Sequence, residues 1–240
     1  MNRMKGKQIM KLIGLQKMTV LDFPGRVACI VFTFGCNFRC PFCHNASLVM
    51  GEGESDITEE EFFAYLKKRQ GILDGVVVTG GEPLLQKDIE DFLRKIKSLG
   101  YEIKLDTNGT FPEKLKNVVN EGLVDYVAMD IKNAPEYYAI TSGKEDVDLT
   151  KIKASVDFLI NEAQVEYEFR TTVVAQFHSE SVMDEIGEMI KGAKNYYLQG
   201  FVDSGDLIGE NLSALPKANM QKMADRVSQY VQNVSLRGVN

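Results

Sequence analysis

Much is missing from this chain of 240 residues. No apolar run approaches the length that crosses a bilayer. The basic start, residues 1–10, is followed only by Leu12-Ile13-Gly14-Leu15, too short for the apolar core of a signal peptide. Basic residues nowhere form a block. Lys and Arg number 28 against 34 Asp and Glu, a net charge of −6, which suits neither nucleic acid nor a membrane surface. Internal repeats, low-complexity segments and linkers are absent. Histidine is reduced to His44 and His178. There is no H-E-x-x-H and no P-loop, and Gly51 and Gly53 lack the third glycine of G-x-G-x-x-G. Cysteines number four, with three in one short segment, which is no disulfide framework. These exclusions predict a single domain over 1–240 in a reducing cytoplasm. A chain of this size buries roughly 70–75% of its unfolded surface and needs no disulfides.

What is present centres on residues 27–45, Val27-Ala-Cys29-Ile-Val-Phe-Thr-Phe-Gly35-Cys36-Asn-Phe-Arg-Cys40-Pro-Phe42-Cys43-His44-Asn45. An apolar run ends in a glycine turn, and three cysteines follow at spacings that let thiolates converge on one soft metal centre. Structural zinc and ordinary electron-transfer clusters take four ligands, so three leave a position open for chemistry. His44 as a fourth zinc ligand is the plainer alternative. Against it, successive side chains such as Cys43 and His44 rarely point at one atom. Cys29, inside the apolar run, reads as a small buried hydrophobe.

Taken in order, residues 1–26 form a hairpin extension. Asp22-Phe23-Pro24-Gly25-Arg26 is its turn between two short strands, closing one end of the fold. The run 27–34 lacks alternation, as suits a strand covered on both faces. Residues 46–56 read as a loop, and Thr58-Glu-Glu-Glu61 as a capping box opening a helix to about Gln70. Further strands are predicted at 75–79, 101–105, 124–129, 165–174 and from 196. Helices are predicted at 83–99, 112–121, 149–161, 180–192 and 217–232. Loops at 134–147 and 203–216 complete the reading. Strand and helix alternate six times, which argues for a parallel sheet wound right-handed with helices outside, either doubly wound or an incomplete (βα) barrel. The barrel core would span 27–200, with a C-terminal loop and helix over 201–240.

Polar residues follow the strands at their C-terminal ends: Cys36–Cys43, Gly80-Gly81-Glu82-Pro83, Asp106-Thr107-Asn108-Gly109 and Asp130-Ile131-Lys132. That rim is where α/β sheets and barrels carry their sites. Gly80 to Pro83 would serve equally as a strand-to-helix turn with proline in the first helical turn. Its functional reading is close backbone approach to a ligand, with Glu82 facing an ammonium. Asp106 to Gly109 would serve as an Asx turn. Asp106 and Asp130 together could hold a cation or a ribose.

The spacing Cys36, Cys40, Phe42, Cys43 resembles the CxxxCxφC signature of the radical S-adenosylmethionine (SAM) superfamily, and Gly80-Gly-Glu-Pro83 resembles its GGEP motif. Further pieces are similar to glycyl-radical-enzyme activating enzymes, most closely the anaerobic ribonucleoside-triphosphate reductase activating proteins of the pyruvate formate-lyase activase type. They are Gly14-Leu-Gln-Lys with Leu21-Asp-Phe-Pro-Gly25, Phe32-Thr-Phe-Gly-Cys-Asn37, Cys40-Pro-Phe-Cys-His-Asn45, Leu105-Asp-Thr-Asn-Gly109, Met129-Asp-Ile-Lys132 and Phe169-Arg-Thr-Thr-Val-Val174 with Phe177-His178. The resemblance implies an incomplete (βα)6 TIM-like barrel. It implies a [4Fe-4S] cluster on Cys36, Cys40 and Cys43, with SAM completing the coordination of the fourth iron. SAM contacts fall on Phe42, Gly80, Gly81, Glu82, Asn108, Lys132 and Arg170. A monovalent cation falls on Asp106, Thr107, Asp130 and the backbone of Ala128. Flavodoxin or ferredoxin would reduce the cluster, SAM would be cleaved, and the 5′-deoxyadenosyl radical would take a hydrogen from a glycine of a partner glycyl radical enzyme. Loops 134–147 and 203–216 would meet that partner. The family's last-strand histidine has no counterpart, with Gln199 or Phe201 near its place. No second cysteine cluster marks an inserted ferredoxin-like domain. A radical SAM enzyme acting on a small molecule or peptide, of deazaguanine-synthase type, and a zinc-stabilised binding module remain the alternatives.

Overall fold

The computed structural model describes residues 10–51 and 56–239; the first nine residues of the expected hairpin extension lie outside it. The strands are β1 (Leu12–Thr19), β2 (Ala28–Thr33), β3 (Gly75–Gly80), β4 (Glu102–Thr107), β5 (Tyr126–Asp130), β6 (Glu166–Val173), β7 (Asn195–Gly200) and β8 (Asn233–Arg237). They form one sheet in chain order, β1 antiparallel to β2 and each later neighbour parallel. The helices are α1 (Ala46–Met50), α2 (Glu59–Arg69), α3 (Ile89–Ser98), α4 (Pro112–Asn120), α5 (Tyr138–Ser142), α6 (Leu149–Asn161), α7 (Met183–Met189) and α8 (Lys217–Val227). The six units from β2 to α8 are the predicted ones. Since β1 and β8 do not pair, the barrel is incomplete.

Local chemistry explains the elements. Thr58 accepts from the Glu61 backbone N–H at 3.1 Å, and the Glu61 carboxylate accepts from the Thr58 N–H at 2.8 Å, so the capping box opens α2 as expected. On α3, Ile89, Phe92, Leu93 and Ile96 share the buried stripe, with Phe92 stacked on Phe62 of α2 at 5.5 Å. β2 and β3 are covered on both faces, Cys29 being fully buried in the layer beneath the helices. No helix among the described residues is long and apolar enough to cross a membrane.

Several boundaries differ from the sequence expectation. The segment 46–56 begins with α1, whose Ala46 and Val49 face inward. The helix expected from Pro83 is split. A 3-10 turn at Pro83–Leu85 ends at extended Gln86, and α3 begins only at Ile89. The loop 134–147 contains a 3-10 turn and α5. The helix expected over 180–192 is a 3-10 turn followed by α7 alone. The last helix stops at Val227, and the segment after it makes β8, so the C-terminal part is loop, helix and strand. The turn 22–26 joins β1 to β2, making the first barrel strand itself the second arm of the hairpin.

That turn closes the floor of the barrel. Phe23 is buried beneath the strands with Ala28, Ile30, Val77, Tyr126 and Ala128, its ring edge-on to Tyr126 at 6.1 Å. Burying such a ring contributes about 2–3 kcal/mol. Above this floor the interior turns polar. Glu168 is fully buried, accepts from the Tyr126 hydroxyl at 2.7 Å and pairs with Arg237 of β8 at 2.7 and 2.8 Å. The Arg237 guanidinium lies over the Tyr197 ring at 3.3 Å.

Candidate active site at the mouth of the barrel

The parallel register brings the C-terminal ends of β3 to β7 to one level, with Asp130 beside Arg170 and Thr172 beside Gln199. A cavity opens there. Its walls include Cys36, Cys40, Phe42, Cys43, Gly80, Gly81, Asp106, Thr107, Asn108, Asp130, Lys132 and Arg170. These are all the predicted site residues except Glu82 and Ala128. Phe38, His44, Asn45, Val49, Thr79, Thr172 and Gln199 complete the wall. Of these, His44 and Gln199 stood out in the sequence. Thr79 and Thr172 were findable by strand alternation, whereas Val49 belongs to a helix the sequence did not reveal.

The cysteine loop is held by backbone from three later segments. Glu82 N–H donates to the Gly35 carbonyl at 2.9 Å, Arg39 N–H to the Ser142 carbonyl at 2.8 Å, and Gly209 N–H to the Pro41 carbonyl at 2.7 Å. Each of these contacts has a glycine at or beside it that a Cβ would crowd. A Cβ on Gly81 would lie 1.9 Å from the Gly35 carbonyl oxygen, and one on Gly143, at φ +63°, would lie 2.0 Å from the Arg39 carbonyl oxygen. The loop 203–216 thus folds over the cysteines, and its Asp206 also accepts from the Ser47 hydroxyl at 2.8 Å.

Glu82 does not reach the cavity. It is fully buried, and its carboxylate accepts from the Leu84 N–H at 3.0 Å, the Thr107 hydroxyl at 2.8 Å and the Asn108 N–H at 2.7 Å. Burial pushes it up to about 7 against the pull of these donors. In place of the expected contact with an ammonium, Glu82 ties the β3 turn to the β4 turn. Gly80 and Gly81 are the parts of that motif that face the cavity.

The predicted cation site is also rearranged. Arg170 bridges the two carboxylates, Nε to Asp130 at 2.9 Å and Nη1 to Asp106 at 3.4 Å. Thr107 has turned its hydroxyl to Glu82, and Ala128 sits in the floor cluster. The guanidinium supplies the positive charge between the carboxylates. Asp106 Oδ1 is left buried without a hydrogen bond, with Lys104 Nζ at 3.4 Å as its counter-charge. Lys132 Nζ donates to Asp130 at 3.0 Å. Burial would raise the Asp130 carboxyl, but Arg170 and Lys132 outweigh it and hold it at about 2.

His178 lies behind the wall. Its Nδ1 accepts from the Val174 N–H at 3.1 Å, leaving Nε2 to donate to the Lys132 carbonyl at 2.9 Å. Burial lowers its pKa, in keeping with a neutral ring that positions Lys132. His44 packs its ring on Phe201 at 5.8 Å and lines the mouth.

The donor set fits an iron–sulfur group better than a single ion. Burial pushes the Cys36 thiol up to about 12 and the Cys40 thiol up to about 11, so metal binding there must displace protons. Among the described residues no three His, Cys, Asp or Glu side chains gather as they would around one ion. A cubane cluster sets its thiolates further apart than a zinc ion does. The Asp106, Asp130, Arg170 and Lys132 ring beside the sulfurs offers both charges to a zwitterionic ligand such as the methionine end of SAM.

Comparison with known proteins agrees. A profile of the radical SAM superfamily matches residues 30–153. A Methanocaldococcus jannaschii protein assigned to the glycyl-radical enzyme activating enzymes is 32% identical over 95% of this chain and 95% of its own. The pyruvate formate-lyase-activating enzyme of Clostridium pasteurianum is 32% identical over 58% of this chain and 60% of its own. In fold, the chain is similar to Streptococcus suis SuiB bound to S-adenosylmethionine, with a TM-score of 0.67 at 14% identity. That match covers 85% of this chain but only 48% of SuiB. The chain belongs to the radical SAM superfamily, beside the glycyl-radical enzyme activating enzymes.

Proposed function

We propose that this protein is the activating enzyme of a glycyl radical enzyme, with anaerobic ribonucleoside-triphosphate reductase as the partner and flavodoxin or ferredoxin as the electron donor. Superfamily membership implies a [4Fe-4S] cluster and SAM. Bound together, they supply an electron and the 5′-deoxyadenosyl group that removes a hydrogen atom. The chain's own residues do the rest. Cys36, Cys40 and Cys43 would hold the cluster. Gly80 and Gly81 offer backbone to the methionine amino group. Arg170 and Lys132, paired with Asp106 and Asp130, orient its carboxylate, and Phe42 shields the sulfurs. The floor around Phe23 keeps water from entering below.

The observation that carries this reading is the cysteine loop clamped against the charged ring at a mouth whose rim is apolar. Met50, Tyr137, Ile140 and Val202 are exposed on the connections that follow β2, β5 and β7, Ile140 by 58% and Val202 by 60%. Such a rim suits a protein surface bringing an extended glycine-bearing segment to the cavity. The test is an anaerobic mixture of this protein, reductant, SAM and the reductase, read by electron paramagnetic resonance with 5′-deoxyadenosine measured alongside. The expected result is a glycyl-radical doublet. Deoxyadenosine without the doublet would overturn the partner and favour a small-molecule or peptide substrate.

A further inference from the structure

We infer that Asn108 tunes the cluster through the sulfur of Cys36, an inference that rests on the reading of Cys36 as a cluster ligand. The Asn108 side chain is buried at 5% exposure, and its amide has a fixed orientation. The oxygen accepts from the Thr110 N–H at 3.0 Å and from the Thr110 hydroxyl at 2.6 Å, so the nitrogen must point the other way. One N–H donates to Asn37 Oδ1 at 3.0 Å. Asn37 is itself fixed, because its own amide nitrogen donates to the Thr110 hydroxyl oxygen at 2.9 Å. The remaining Asn108 N–H faces Cys36 Sγ at 3.8 Å. The backbone cannot swing away, since the Asn108 N–H is held by the buried Glu82 carboxylate at 2.7 Å.

The Cys36 sulfur also receives the Phe38 N–H at 3.4 Å, so two N–H groups converge on it. A hydrogen bond to a ligating sulfur draws electron density from the cluster, stabilises the reduced form and raises the reduction potential. Asn108 is thus a positioning residue of the cluster, and Thr110 and Glu82 fix its aim. The sequence placed Asn108 among SAM contacts. The geometry commits both ends of its side chain within the protein and leaves one N–H for the sulfur.

The test uses the anaerobically reconstituted full chain. Wild type, Asn108→Ala, Asn108→Asp and Thr110→Val are assayed for iron, and the cluster is titrated potentiometrically by electron paramagnetic resonance without SAM. The expected result is full iron loading throughout, a midpoint shifted to lower potential in Asn108→Ala, and a larger shift in Asn108→Asp, where a donor is replaced by a charge. Thr110→Val, which removes the hydroxyl but leaves the backbone N–H that aims the amide, shifts the midpoint the same way by less. Unchanged midpoints with full iron would overturn the inference while leaving the cysteine reading intact. A folded Asn108→Ala without iron would also overturn it, making the residue a scaffold of the loop. If Asn108→Ala does not fold, Thr110→Val decides by the same shift. Wild type that takes up no iron sinks the cysteine reading itself, and this inference with it.

Discussion

Asp130 shows how a carboxylate reads differently in a sequence and in a fold. In the sequence it ends a strand one residue before Ile131-Lys132, and its partner on β6, Arg170, is 40 positions away. Only the register of parallel strands joins them. Held at about 2, well under its ordinary 3.8, the Asp130 carboxyl contributes stability above its unfolded pKa and loses it as pH falls through the folded one. The advantage of wild type over Asp130→Asn in urea unfolding is therefore at its full value above about pH 4 and shrinks toward pH 2. An advantage that grew on acidification would contradict the pairing. The cysteines were legible because their spacing is local, and Cys36→Ala is expected to abolish iron loading and SAM cleavage, with retained cleavage counting against the assignment. Glu82 was legible only in part. Its motif marked the right turn, but its burial and its bonds to Thr107 and Asn108 depend on β4 lying beside β3.

At the scale of elements, six βα units could be read because buried parallel strands are continuous apolar runs and the helices between them are long enough to show their period. The elements that escaped are short. α1 and α5 have five residues each, too few for a helical period, and both pack against the cysteine loop or its neighbours. β8 shows only Val234 and Leu236 as apolar residues between Asn233, Ser235 and Arg237, yet Arg237 neutralises the buried Glu168. Two substitutions separate the ends of the barrel. Gly81→Ala forces a Cβ into the Gly35 carbonyl, which should cost about 1–3 kcal/mol and lower iron loading several-fold, measured as iron per chain after reconstitution. Full loading would mean that the clamp is dispensable. Phe23→Ala empties the floor and should cost about 3–5 kcal/mol in urea unfolding, with iron loading retained.

For the whole molecule, the incomplete barrel is closed at one end by Phe23 and its buried neighbours and opens at the other through an apolar rim. If that rim receives a protein, a charge placed on it should be costly. Ile140→Asp is expected to weaken the partner complex at least tenfold, about 1.4 kcal/mol, seen as a rise in the partner concentration that gives half-maximal glycyl radical. Iron content and circular dichroism should stay as in wild type. An unaltered concentration dependence would place the docking surface elsewhere. No composition argument could have located this rim, because its apolar residues come from connections far apart in the chain.

The three backbone bonds on the cysteine loop also set an order of maturation. They come from residues 82, 142 and 209, the last of them some 170 positions after the cysteines. A nascent chain shows its three thiols long before the segments that shape their loop exist. The loop that carries the thiols therefore takes its final shape only when segments as distant as Gly209 have joined the barrel.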